Sequence, residues 1–367
     1  MIETTTLPDV FALPQSQINT QATWKGEKLT QTPEKWLTVF TQDEIDELEK
    51  AAEKYLAEAK DIGEITQKEF PLPTLKSKFS NLKQTLIKGI GFGVLRGLPT
   101  DSYTQEMSAV IFCGIGTHLG NSRSQNAEGH ILGHVRDIGA RSDDPNARIY
   151  QTSERQTFHT DSADVVGLLC LKKAQQGGAS LLVSTETIYN EMMQQRPDLA
   201  KLLFQPIATD RRGEIPKGEK PFFEIPVFNW HKGFLTGIYQ RQYIDSAQCF
   251  PDAMRLNQQH IEALDLFDSL ANDPTLHLSM KLEHGDMQFV HNHSMLHDRT
   301  GFLDWPEVKN RRHLFRLWLS IEGDRELPES FKQRYGSIEV GNRGGIITKK
   351  VKLNAPIDSI VSSDLKT

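Results

Sequence analysis

The sequence predicts a mainly β protein with α insertions, a sandwich or jelly roll flanked by helices, on three observations. Beyond residue 150 strand-like runs dominate, at 164–171, 180–184, 222–228, 276–282, 287–291 and 313–321. Helical patterns interrupt them at 185–195 and 260–271, which is too seldom for the regular strand-helix alternation of a parallel sheet. Ahead of them, Gly91-Phe-Gly-Val-Leu-Arg-Gly97 reads as a short buried strand bounded by glycines.

The remaining elements follow in chain order. Residues 1–40 scatter Pro, Gln, Thr and Trp without strong periodicity. Thr41-Gln-Asp-Glu44 is a capping box, and Ile45, Leu48, Ala52, Tyr55 and Leu56 then recur at helical spacing, so a helix is expected to end near Gly63. Helices are also expected at 75–87 and 103–118. The glycines of 91–97 precede a strand and lack GxGxxG spacing, which excludes a dinucleotide fingerprint. The Gly-, Ser- and Asn-containing stretch 120–133 is expected to be a loop on the side of any active site. Residues 341–367 are polar, contain Gly344-Gly345, and read as a partly mobile arm.

Composition bounds the function classes. The 367 residues are 38% hydrophobic and 25% charged, enough for a sizeable core. The formal charge is -6 and no long Lys/Arg run is present, so nucleic acid is not an expected partner. The start, MIETTTLPDVFALPQSQ, carries an acid where a signal peptide is basic, and the apolar run at 165–171 is too short to span a bilayer. The expectation is a cytoplasmic protein that does not engage membrane. Cys113, Cys170 and Cys249 are widely spaced, form no CxxC, and are read as buried thiols.

The chemistry centres on His159-Thr160-Asp161, at the mouth of an apolar run. Residues i and i+2 of a strand share a face, so this pair could offer an imidazole and a carboxylate to one ion. A second such pair, His284-Gly285-Asp286, warns that HxD alone is weak. Three features favour the first. It precedes a strand directly, whereas Gly285-Asp286 reads as a turn. Gly177-Gly-Ala-Ser180 follows it, and Asn292-His-Ser-Met-Leu-His297 is followed by Arg311-Arg312-His-Leu-Phe-Arg316 in another apolar strand. In that strand Arg312 and Arg316 fall in phase with Leu314, which a solvated basic edge does not explain, and Arg311 is expected to point away.

In this order, HxD, GG-x-[ST], N-x4-H and RR-x3-R resemble the taurine dioxygenase (TauD/TfdA-like) group of Fe(II)- and 2-oxoglutarate-dependent oxygenases, which includes clavaminate synthase-like and γ-butyrobetaine hydroxylase-like enzymes. The resemblance covers residues 85–322. It implies a double-stranded β-helix (jelly-roll) core there, with a helical extension at 1–84 packed on it and a C-terminal tail at 323–367. The outer segments would cover the site or build an interface between copies of the chain. By the resemblance, His159 and Asp161 match the first two iron ligands and His297 the distal one, because the family's histidine follows a hydrophobic pair such as Met295-Leu296. His291 and His293 are left as polar residues of strand and turn.

Two histidines and a carboxylate leave three positions of an octahedral Fe(II), two for a chelating keto acid and one for dioxygen. The resemblance implies Arg312 as the guanidinium for the distal carboxylate of 2-oxoglutarate, with the Ser180 hydroxyl beside it. It implies Arg316 as a residue facing the substrate or the metal pocket, with Arg155 and Tyr150 upstream of the metal motif as further substrate contacts. Arginines there would suit a small carboxylate, sulfonate or amino acid; the alternative is that Arg155 pairs with a local acid on the surface. The implied reaction decarboxylates 2-oxoglutarate to succinate and CO2 while oxidising, by default hydroxylating, a substrate C–H bond. Asp161 argues against halogenation, for which related enzymes replace the carboxylate. Two other readings stay open: a zinc hydrolase built on the same three ligands, and a non-catalytic jelly roll that binds a small molecule.

Overall fold

The computed structural model describes residues 13–14, 16–140, 148–346 and 351–357. Its largest sheet has seven strands. Their order is Leu37–Val39, Phe92–Arg96, Met287–His291, Val165–Lys172, His313–Ser320 and Asn121–Ser122, with Leu132–Val135 also paired to His313–Ser320. The first pair is parallel and the others are antiparallel. A second, four-stranded antiparallel sheet runs Leu278–Met280, Ser180–Ser184, Met295–Arg299, Gln156–His159.

The two sheets share a core. Phe92, Val94, Val166, Cys170, Val290, Leu314 and Trp318 from the large sheet form one buried cluster with Leu182, Leu278 and Met295 from the small one. The alternate residues of the same strands face outward. Leu95, Leu169, Phe289, Phe315 and Leu317 pack with helices Gln42–Ala57, Lys76–Lys88 and Gln105–Leu119. Leu181, Val183 and Leu296 pack with helices Thr185–Gln195 and Gln258–Ala271. Central strands buried on both faces read as continuous apolar runs, and the period-2 alternation sorts each side chain to its layer. Arg312, Arg316 and Trp318 are thereby committed to the space between the sheets.

The sequence reading needs several corrections. The helix capped by Thr41 stops at Ala57, not near Gly63. Ala59 takes a positive φ of 51°, and Asp61 caps a new 3-10 turn by accepting from Gly63 N–H. The run 222–228 is two strands: Phe222–Pro226 pairs with Pro206–Asp210, and Phe228–His231 begins a separate hairpin with Phe234–Gly237. Pro226 has no N–H to continue a ladder. The stretch 120–133 holds the strand Asn121–Ser122 and the start of Leu132–Val135. Cys113 and Cys170 are buried, but Cys249 is exposed in the turn that follows the helix Arg241–Ala247.

The tail is also different from expectation. Gly341, Arg343, Gly344, Gly345 and Ile346 are buried against the sheets, and the rest of the expected arm at 347–350 and 358–367 lies outside the described residues. No described helix is long and apolar enough to cross a membrane.

Candidate metal and keto-acid site

His159 ends the strand Gln156–His159 and stands in register opposite His297, the third residue of Met295–Arg299. Their rings are 4.1 Å apart. Asp161 Oδ1 lies 4.0 Å from His159 Nε2, and Asp161 Oδ2 lies 3.7 Å from His297 Nε2. The three donors fall within 4.8 Å of one another, within reach of a single ion with bonds of about 2.0–2.2 Å. All three side chains are nine-tenths buried or nearly so.

Asp161 does not reach this position by the strand alternation that its spacing suggested. The strand has ended, and residues 160–164 form an irregular loop. Asn292 Oδ1 accepts from Asp161 N–H at 3.0 Å, and Trp318 Nε1–H donates to Asp161 Oδ2 at 2.8 Å. These two residues, one from the turn after Met287–His291 and one from the strand His313–Ser320, were not assigned a role from sequence. The signal for Trp318 was its phase, two residues beyond Arg316 on the same inner face.

Protonation favours ligation. Burial pushes the His297 imidazole down to about 3, and neighbouring His159 adds to the effect. Burial likewise lowers His159, despite the pull of Asp161. Burial opposes ionisation of Asp161, but Arg316 and the two histidines hold its carboxyl below the usual range. Neutral imidazoles beside an ionised carboxylate are the forms that bind metal. His159 Nδ1–H donates to Thr157 O at 2.8 Å, which leaves the Nε2 lone pair facing the cavity, where the Gln156 amide donates to it.

A cavity of about 40 Å³ joins these residues to Ser180, Arg299, Arg312 and Arg316. Arg312 is 6% exposed, its Nη1 has no partner among the described residues, and its guanidinium stands 5.2 Å from the Phe302 ring. Burial pushes it down to about 10. A buried cation with an unused donor is costly unless an anion joins it, so a carboxylate fits here. Ser180 Oγ donates to Gln288 Oε1 at 2.9 Å, a partner not foreseen.

Arg316 Nε donates to Gln125 Oε1 at 2.7 Å, and its Nη1 is 3.8 Å from Asp161 Oδ2. It lies between the rings of Tyr150 and Trp318, 4.7 and 4.9 Å from their centroids. Tyr150 borders the same cavity. Arg155 is not brought there. Its Nε and Nη2 donate to Asp298 Oδ2 at 2.9 and 2.6 Å, its Nη2 also to Asn272, and 42% of its side chain is exposed. This is the ion pair with a local acid. Arg311 bonds the Trp305 and Pro306 carbonyls outside the site.

The other HxD pair separates. Asp286 is buried and takes two bonds from Arg96 at 2.8 and 2.6 Å, while His284 pairs with Asp101 at the surface. His291 and His293 are more than strand and turn polarity. Both are fully buried; His291 Nε2 lies 3.1 Å from Asp324, and His293 Nε2 lies 2.8 Å from Asp164.

Comparison with known proteins gives the same direction. The family model described as taurine catabolism dioxygenase TauD, TfdA family matches residues 54–318. FR-33289 synthase of Streptomyces rubellomurinus (strain ATCC 31215) is 33% identical over 308 residues, 82% of this chain and 90% of that one. Taurine hydroxylase-like protein SAT17 of Stachybotrys chartarum (strain CBS 109288 / IBT 7711) is 29% identical over 321 residues, 85% and 81% of the two chains. Among solved structures, asparagine oxygenase in complex with Fe(II), 2S,3S-3-hydroxyasparagine and succinate aligns with a TM-score of 0.61 at 18% identity, covering 77% of this chain and 93% of that one. The non-heme iron oxygenase OrfP in complex with Fe and alpha-ketoglutaric acid aligns with a TM-score of 0.59 at 13% identity, with 77% and 93% covered. At these identities the structural matches speak to the fold.

Proposed function

This chain belongs to the taurine catabolism dioxygenase TauD, TfdA family, and from that premise we propose that His159, Asp161 and His297 hold its iron while Arg312 and Ser180 receive its keto acid. The protein is a non-haem Fe(II)- and 2-oxoglutarate-dependent oxygenase that uses O2. When bound, these groups supply oxidation of a substrate C–H bond, with 2-oxoglutarate decarboxylated to succinate and CO2.

The chain's own residues bind and orient. Trp318 and Asn292 set the Asp161 carboxylate, and Thr157 O sets the His159 tautomer. Arg312 offers a fixed charge to the distal carboxylate of the keto acid, with two parallel donors available in its fork. The observation that carries this reading is that buried Arg312, whose Nη1 has no partner among the described residues, lines the same cavity as the three ligand residues. The chemistry of a zinc hydrolase requires neither Arg312 nor Ser180.

For the substrate, the reading is hydroxylation of a small anionic or amino-acid-like molecule. Arg316 and Tyr150 at the cavity wall support it. The two facing sheets are read as a double-stranded β-helix core over residues 85–322, with the helices Gln42–Ala57 and Lys76–Lys88 sharing a core with the outer face of the large sheet. Its cysteines are all free, which suits a reducing, cytoplasmic setting.

The test is oxygen-dependent conversion of 2-oxoglutarate to succinate. It should require Fe(II) and vanish in His159→Ala, Asp161→Ala and His297→Ala with folding retained. Turnover preserved in all three variants would remove the metal assignment.

A further inference from the structure

We propose that Arg343 is a positioning residue for the metal centre, acting through Asp164 to lock the loop that carries Asp161. The inference rests on the metal assignment above and adds to it a role for the chain beyond residue 318, where the family match ends.

The loop 160–164 has no sheet ladder to define it, so its bonds to other segments decide where Asp161 sits. Asp164, three residues on, is fully buried and saturated. Its Oδ2 accepts from Ser320 Oγ at 3.1 Å and Ile321 N–H at 2.9 Å, and its Oδ1 accepts from Arg343 Nε at 2.7 Å. Arg343 is itself 0% exposed. Its Nη2 donates to Asp324 Oδ2 at 3.0 Å and its Nη1 to Arg325 O at 2.8 Å.

The same guanidinium reaches the other ligand segment. Asp324 meets His291 Nε2, and Asp164 meets His293 Nε2. These histidines flank Asn292, which accepts from Asp161 N–H and donates to Ala163 O at 3.0 Å. The turn they occupy leads into the strand that bears His297. One arginine thus ties the Asp161 loop to the hairpin of the distal histidine.

Backbone contacts run alongside. Gly345 N–H donates to Ser162 O at 2.7 Å, and Arg334 Nε donates to Ser162 Oγ at 2.7 Å. Gly344 has a φ of +76°, and a Cβ there would come within 2.8 Å of Ser162 O. Glycine is needed because the chain is pressed against the loop.

Donors of His291, His293 and Asp324 also lie within 4.8 Å of one another, as a second metal site would require. The charge is already met. Arg343 lies between Asp164 and Asp324, and buried Arg325 adds a second positive charge beside Asp324. A divalent ion would bring two more charges into a neutralised, buried space. The cluster holds the loop without a metal of its own.

The experiment is Co(II) titration of the purified full chain, read by visible ligand-field absorption, for the wild type, Arg343→Met, Arg343→Lys, Asp164→Asn, the Arg343→Met/Asp164→Asn pair, and His159→Ala. The expected result is one Co(II) per wild-type chain, at least tenfold weaker binding with an altered spectrum in Arg343→Met, partial recovery in Arg343→Lys, and a double variant no worse than the poorer single one. If Arg343→Met does not fold, Arg343→Lys alone should still show weakened binding and a changed spectrum. Wild-type affinity and spectrum in either folded Arg343 variant overturn the proposal while the metal site stands. Absence of Co(II) binding in the wild type, or binding unchanged in His159→Ala, overturns the metal assignment and the positioning role together.

Discussion

Trp318 Nε1 donates to Asp161 Oδ2 at 2.8 Å, and that same oxygen lies 3.7 Å from His297 Nε2. An indole on the large sheet therefore aims a carboxylate at a histidine on the small one. Trp318→Phe keeps most of the ring volume and removes the donor. Loss of a hydrogen bond to a charged group costs about 1.5 kcal/mol or more, so Fe(II) binding should weaken about tenfold. Anaerobic equilibrium dialysis checks this, and unchanged affinity would count against Trp318 as the orienting group.

Arg155 separates a structural role from a substrate role. Its partner Asp298 is fully buried, so Arg155→Ala leaves a carboxylate without its counter-charge. Stability should drop by about 1–3 kcal/mol in denaturant unfolding. The 2-oxoglutarate affinity should stay within about twofold, because Arg155 does not line the cavity. A selective loss of keto-acid or substrate binding with stability intact would place Arg155 in the site after all.

The inner and outer faces of His313–Ser320 were legible because side chains alternate along a strand: Leu314, Arg316 and Trp318 turn inward and Phe315 and Leu317 outward. The pairing of His159 with His297 was legible as an ordered set of motifs, not as geometry. Asp161 was harder. Its spacing suggested a strand face, yet its position depends on Asn292, 131 residues away, and local periodicity carries no such information. Arg343 was hidden for a different reason. A polar, glycine-rich tail resembles a mobile arm, but Gly341, Gly344 and Gly345 all take positive φ and let the backbone press against the core. The stop of the first long helix at Ala57 likewise depends on one positive φ at Ala59, which its residue type does not advertise.

Acid should destabilise the fold in a defined window. Burial pushes His293 down to about 4 against the pull of Asp164, and burial with neighbouring His134 pushes His313 down to about 3. Both return to about 6.5 in the unfolded chain. Below about pH 6.5 the unfolded state therefore binds more protons, so stability is full above that pH and falls as pH drops toward 4. Each histidine contributes a slope of at most about 1.4 kcal/mol per pH unit. Thermal midpoints should decline steadily between about pH 7 and pH 5 and recover part of the loss in His313→Gln; a flat profile would contradict the buried, neutral state of these rings.

Under the proposed function, Arg312 binds the keto acid that chelates iron at His159, Asp161 and His297. Anaerobic titration of the protein with Fe(II) and 2-oxoglutarate, followed by the visible charge-transfer band of the chelated keto acid, tests it directly in the wild type and in Arg312→Ala. A band in the wild type, with at least about 100-fold more 2-oxoglutarate needed in the variant, is the predicted result, in line with about 3 kcal/mol for a charge-assisted pair. No band with intact protein, or the same 2-oxoglutarate requirement in both, would contradict the account.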